Sequence, residues 1–447
     1  MSDREPAHTA TPGEVTDIVT ALVLSRPGGR AWKIATGVAS LLTALLVAAI
    51  VVLLARGVGI WGVTMPVAWG FAIANYVWWI GIGMAGTFIS AALYLTRQGW
   101  RSALNRFAEA MTVFALAVSG IFPVLHLGRP WFAYWLAPYP DRMGLWPQWR
   151  SALVWDFFAI GAYVIVSVIY FYAGLVPDFA AVRDRAKSRG RQVIYGVLAM
   201  GWRGEALEWE RHATLARILA GLAVPLVFSV HSMVALDFSE GLLPGWHSTI
   251  FPPFFVAGAL FSGAAMVIVL AVILRRAYAL HEFITDEHLD KLAKMMLAVG
   301  WVVTYGYAAE IFTAYYGGDP YDLAMQRHRL QGAYAWLFWA TIACNSLSIQ
   351  ALWWPRVRTN PAALVIISVL VLIGMWLERF MLIVTSLYRD FLPSSWGMFY
   401  PTFWDAAFLA GSIGLFALLF LVFVRVVPVL SIAELRRHAA ERVDNRP

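Results

Sequence analysis

His126 and Asp156 are the residues whose types and placing first suggest chemistry. His126 sits in the last turn of a mostly apolar run from Phe107, close to the ~20 residues that cross a hydrocarbon core. Asp156 lies about one turn into the next run, which begins near Ser151. Consecutive spans joined by a connector meet on one membrane face, so imidazole and carboxylate stand at similar depth. Ionisable groups there are expensive and normally face a bundle interior or a functional cavity. A titratable pair is what proton-coupled redox or transport chemistry needs. Alone, His126 would serve equally well as a helix cap. The pairing with Asp156 favours chemistry.

Other ionisable residues fall inside or at the ends of apolar runs: His231, Asp237, Glu310, Glu378, Arg379 and Asp405. With odd spans running outward and even spans inward, these lie in the outer half or near mid-membrane. Glu109 is the main exception. The expectation is a polar outer half, a drier inner half and no obvious proton wire across the bilayer. Each has an ordinary reading as well. His231 can bond a carbonyl, and Asp405 can sit at a helix N-terminus. Arg379 is expected to pair with Glu378, Glu310 or another acid, because an unpaired buried guanidinium is too costly. The glycines Gly81, Gly83 and Gly86 read as close helix packing.

The elements that position these residues follow from composition. At 60% hydrophobic and 14% charged over 447 residues, the chain is an all-α polytopic membrane protein. Ten spans are expected, near Ile34–Leu54, Val67–Leu95, Phe107–Leu127, Ser151–Leu175, Ala213–Ala235, Phe251–Leu274, Leu292–Tyr315, Gly332–Leu352, Leu364–Leu387 and Trp404–Val424. The eighth carries Asn345 and Ser346, so neighbours must shield it. A short interfacial helix is expected over Glu14–Leu24. No secretory signal peptide is seen in Met1–Lys33. Of 34 Lys and Arg, 26 fall on the side of the N-terminus, 7 opposite, and Arg379 inside a span. The positive-inside rule then sets both termini in the cytoplasm and the Arg129–Arg150 connector outside. The +7 net charge is thus an orientation signal, not a nucleic-acid footprint.

The single cysteine, Cys344, excludes CxxCH haem attachment, a four-cysteine iron–sulfur cluster and a thiolate zinc site on this chain alone. His126 and His231 as axial ligands of a b-type haem are disfavoured, since both lie near helix ends and no second pair exists. No metal is expected. A secondary transporter is the rival from another class, favoured by ten spans and intramembrane acids, disfavoured by the absence of broken-helix pairs.

Several stretches carry a resemblance: NYVWWIGIGMAGTFISA (Asn75–Ala91), NRFAEAMTVFA (Asn105–Ala115), HLGRPWFAYWLAPYP (His126–Pro140), SVHSMVALDF (Ser229–Phe238), PGWHSTIFPPFFVAGALFSG (Pro244–Gly263), GMWLERF (Gly374–Phe380) and SLYRDFLPSSWGMFYPTFWD (Ser386–Asp405). From about Trp61 to Leu430 the chain resembles the NrfD/PsrC-type (polysulfide reductase-like) membrane subunits, most closely the C subunit (ActC) of bacterial alternative complex III. The resemblance implies two four-helix bundles plus two flanking helices. The expected divisions are 1–33, a cytoplasmic segment; 34–66, the first flanking helix; 67–250, the first bundle with the quinol site; 251–400, the second bundle; and 401–447, the last helix and tail. It implies a quinol-binding subunit of the bacterial inner membrane, inactive alone. Quinol, menaquinol or ubiquinol, is oxidised near the periplasmic face, with proton translocation as an accompanying expectation. His126 and Asp156 are the catalytic pair; Asp237, His231 and Arg129 join them in binding. Glu310, Glu378, Arg379 and Asp405 are assigned to a proton pathway or to structural charge. Haem and iron–sulfur groups belong to partners: an iron–sulfur periplasmic subunit, c-type cytochrome subunits, a homologous second membrane subunit and a terminal oxidase. Within the family, the membrane subunit of a polysulfide reductase or hydrogenase-type complex is the alternative.

Overall fold

A computed structural model describes residues 11–25, 28–136 and 148–444. The helices are α1 (Pro12–Leu24), α2 (Arg30–Arg56), α3 (Phe71–Leu95), α4 (Asn105–Ser119), α5 (Ile121–His126), α6 (Ala152–Arg185), α7 (Arg189–Leu198), α8 (Ala206–Ser239), α9 (Phe251–Ala277), α10 (Asp286–Gly317), α11 (Pro320–Gln331), α12 (Ala335–Ile342), α13 (Pro355–Arg358), α14 (Pro361–Leu387), α15 (Phe403–Val426) and α16 (Ile432–Asp444). Among the described residues, ten stretches are long and apolar enough to cross a membrane, as expected. The third joins α4 and α5, and the eighth is Ala335–Trp353. Of the Arg129–Arg150 connector, 137–147 lie outside the described residues.

The spans close into two rings. Helices α3, α4, α6 and α8 pack in a cycle, and α9, α10, the eighth span and α14 pack in another. The rings meet where α3 and α8 lie on α9, while α2 pairs with α15, which rests on α4 and α3. With lipid outside, helix association depends on close packing rather than on escape from water. Small residues supply that closeness. A Cβ on Gly86 would strike the Ala108 carbonyl of α4, and one on Gly263 would strike Ala85. Three tryptophan N–H groups cross-link the rings: Trp78 to the Leu372 carbonyl (3.0 Å), Trp376 to Asn75 Oδ1 (2.7 Å) and Trp246 to the Leu382 carbonyl (2.9 Å).

Local chemistry sets the helix ends. Asp319 and Asn360 accept backbone N–H groups at the starts of α11 and α14, and Thr402 with Asp405 forms a capping box on α15. Gly318, at φ +72°, ends α10 in the left-handed conformation. The eighth span is irregular: Ala343–Leu347 is a π-helical segment that turns Asn345 and Ser346 inward, where both are buried. That is how its polar residues are shielded. Helix α6 has 34 residues, ~51 Å at 1.5 Å each. It therefore runs well past the expected end at Leu175. Helices α1 and α16 pack together, so the first and last described helices lie at one end of the bundles.

Candidate functional site

At the end of the first ring away from α1 and α16, α3 and α6 bring Tyr76 against Asp156. The Tyr76 hydroxyl donates to Asp156 Oδ2 at 2.6 Å, and both residues are buried. The other oxygen, Oδ1, is buried with no partner. Asp237, in the last turns of α8, lies within electrostatic reach of Asp156 and Tyr76, and its Oδ1 is likewise unpartnered. Buried polar groups are nearly always paired, so two orphaned carboxylate oxygens beside one phenol mark a place built for a ligand or water.

His126 closes α5. Its ring stacks on Trp61 (centroids 6.0 Å, interplanar 14°), and its Nδ1 is buried without a partner. Trp61 is held in turn by the start of α15. Asp405 Oδ2 accepts the N–H of Gly62 (2.8 Å) and of Thr402 (2.8 Å), while the Thr402 hydroxyl donates to the Ile60 carbonyl (2.8 Å). Asp405 thus caps a helix and pins the connector that carries Trp61. Its side chain faces backbone N–H groups, which is the structural of its two expected roles. Among the described residues no hydrogen bond joins His126 to Asp156. They present separate unpaired atoms. Arg129 is exposed and makes no hydrogen bond to either carboxylate among the described residues.

His231 stands apart, in the seam between the rings. Its Nδ1 lies 2.9 Å from the Met84 sulfur, a group that only accepts, so a hydrogen bond there puts the proton on Nδ1; Nε2 is buried without a partner. A Cβ on Gly81 would sit 3.7 Å from that Nε2. Across Phe255 lies Arg379, whose guanidinium is 4.1 Å from the ring centroid.

In the second ring the charges sort into two sets. Arg379 pairs with its neighbour Glu378 at 3.0 Å. Tyr307 donates to Glu378, and Asn345 donates to Tyr307 at 2.8 Å. Glu310 belongs elsewhere: Arg329, a residue of the outer connector, reaches in from α11 to pair with it at 2.5 Å and with Thr385 at 2.7 Å. Arg329 is 1% exposed. Sequence reasoning counted it among the outer surface charges, and also missed Tyr76 and Trp61. A local signal for Arg329 existed: it follows Asp319–Pro320 by about three turns on a helix-forming stretch, which places it on a fixed face.

The half expected to be drier, on the side of α1 and α16, is not dry. Arg101, Arg106, Glu109, Asp178 and Glu434 form a network there, all but Glu434 buried. The expectation of a drier half began the third span at Phe107 and ended the fourth at Leu175, which left Arg101, Arg106 and Asp178 outside the spans. Because α6 continues to Arg185, Asp178 remains inside the bundle and can face Arg106.

The fold and these buried polar centres define a polytopic helical membrane protein with interior acid–phenol sites. The chain belongs to the family described as polysulphide reductase, NrfD, whose model matches residues 60–389. It is similar to the putative membrane C subunit of a dimethyl sulfoxide reductase of Halobacterium salinarum, 25% identical over 90% of this chain and 92% of that protein. It is also similar to the C subunit of the selenate reductase of Mesobacillus selenatarsenatis, 24% identical over 48% of this chain and 51% of that protein.

Proposed function

We propose that this chain is the quinone-interacting membrane subunit of a multi-subunit oxidoreductase, and that it oxidises quinol at the outer end of the first ring. The carrying observation is the Tyr76–Asp156 bond with the unpartnered oxygens of Asp156 and Asp237 beside it. Quinol gives up two protons with two electrons. Asp156 Oδ1 accepts one proton while Tyr76 steadies Oδ2, and Asp237 is the next acceptor. His126 Nδ1 bonds the other reacting oxygen, with Trp61 holding the ring. A general base in this position contributes about 10²–10⁴-fold. The electrons leave to an iron–sulfur partner.

The wider reading is an alternative complex III subunit in a bacterial inner membrane, both termini cytoplasmic, with c-type cytochrome partners and the five-part division given above. The reductase names of the two relatives favour a second reading, in which the same quinol site feeds a terminal reductase. The proteins that co-purify separate the two. The site itself is tested by quinol–acceptor turnover in assembled Asp156→Asn and His126→Ala variants, with bound quinone measured in parallel. Asp156→Asn should lose about 10²–10⁴-fold in turnover yet assemble. His126→Ala should weaken both quinone occupancy and turnover. Near-normal turnover in both removes the pair from the site.

A further inference from the structure

The inner ionic network is used by nothing above. Arg106 donates to Asp178 through Nε (3.1 Å) and Nη2 (2.8 Å), to Glu109 through Nη1 (3.0 Å), and to the Gly174 carbonyl (2.7 Å). Arg101 reaches Glu434 of α16 at 2.6 Å and the Ser90 carbonyl at 3.0 Å. The backbone N–H of Ala433 donates to Asp178 Oδ1 at 3.1 Å, so a carboxylate of α6 caps the start of α16. The chain's own C-terminal helix therefore closes this end of the first ring.

The charges do not balance. Two guanidiniums, Arg101 and Arg106, face three carboxylates: Glu109, Asp178 and Glu434. Among the described residues, Tyr170 on α6 and His212 on α8 also bear on them, and Arg436 and Arg437 of α16 lie at its exposed face. His212 is committed as a donor. Pro177 has no N–H to give the Ala173 carbonyl four residues back, and His212 Nε2 bonds that oxygen at 3.0 Å. Asp178 has two guanidinium contacts and a backbone N–H, and Glu434 has Arg101. Glu109 has one N–H of Arg106 and, on its other oxygen, the Ser90 hydroxyl at 2.5 Å, itself 3.4 Å from the Tyr170 hydroxyl. Of the two fully buried carboxylates it is the less compensated, and Glu434 is part-exposed. An excess charge buried this way is costly.

We propose that this inner node is a proton-binding site centred on Glu109, and that docking of α16 onto it takes up one proton from the water on that side. Without Glu434 the node holds two charges of each sign and is neutral. With Glu434 docked it carries one negative charge in excess, which an O–H bond on Glu109 cancels. Acid conditions favour the docked helix and alkaline conditions release it. The inference does not rest on the quinol reading.

The test uses the full-length protein in nanodiscs, with Cys344→Ser as background. Leu435 is buried in the docked helix and Arg436 is exposed. A single cysteine is placed at one or the other, and the alkylation rate at 435 divided by that at 436 cancels the pH dependence of the thiol. One linked proton makes this ratio rise by up to about tenfold per pH unit within its window, scanned from about pH 6 to about pH 9. Glu109→Gln removes the excess charge and should leave the ratio low and flat. Glu434→Gln does the same from a part-exposed position if the buried substitution prevents folding. His212→Gln should keep the parental slope. With Leu435 intact, tryptic cleavage after Arg436 relative to Arg203 should follow the same course. A flat ratio in the parent, an unchanged slope in Glu109→Gln, or loss of the slope in His212→Gln would overturn the proposal.

Discussion

Tyr76→Phe is the sharpest probe of the outer site, because it removes one oxygen atom and almost nothing else. Tyr76, on α3, is 7% exposed, so phenylalanine fills the same buried space. What disappears is the donor held 2.6 Å from Asp156 Oδ2. A hydrogen bond to a charged group contributes about 1.5–3 kcal/mol. If that bond holds the carboxylate in its reacting orientation, turnover falls by about 10- to 150-fold. Tyr76 acts through Asp156, so it is a positioning residue. The loss should appear in kcat more than in KM, and Asp156→Asn/Tyr76→Phe should be little slower than Asp156→Asn alone. The assay is quinol–acceptor turnover in assembled complexes, with thermal unfolding to show that the fold is kept. Turnover within a few-fold of the parent, beside a disabled Asp156→Asn, would refute the claim that this bond orients the base. A double variant as slow as the product of the two singles would refute the coupling.

Arg329→Met strands Glu310 inside the second ring and should cost about 3–5 kcal/mol, whereas Glu310→Gln/Arg329→Met should recover much of that; unfolding in detergent gives the order, and equal losses would remove the pairing as the cause. Asp405→Ala unties Gly62 and Thr402 and should cost about 1–2 kcal/mol together with some turnover, while Asp405→Asn still accepts those N–H groups and should restore both. An Asn variant as impaired as Ala would return Asp405 to a proton pathway. For sidedness, a membrane-impermeant thiol reagent should label Cys at Met65, 97% exposed, in spheroplasts, and should not label Cys at Ser188. The reverse pattern would invert the orientation.

The sequence by itself determined the ten spans and most of the acids and bases within them, though not Arg106 and Asp178. Span length and apolar content are local quantities: any segment that crosses a bilayer must satisfy its backbone within its own helix, whatever its neighbours. Phe251–Leu274 and Trp404–Val424 are therefore matched within a few residues by α9 and α15. The Tyr76–Asp156, Arg329–Glu310 and Arg106–Asp178 pairs were not legible, and only the tertiary structure decided them. Their members are separated by 80, 19 and 72 residues and sit on different helices. Periodicity says which face of a helix is buried, not which helix it is buried against. The inner node shows this most plainly. Leu175 ends an apolar run, but it does not end the helix, since Asp178 gains a guanidinium and a backbone N–H that only the folded bundle and its docked C-terminal helix supply. Partners of that kind make a charge tolerable inside a membrane, and they exist only after the helices have packed.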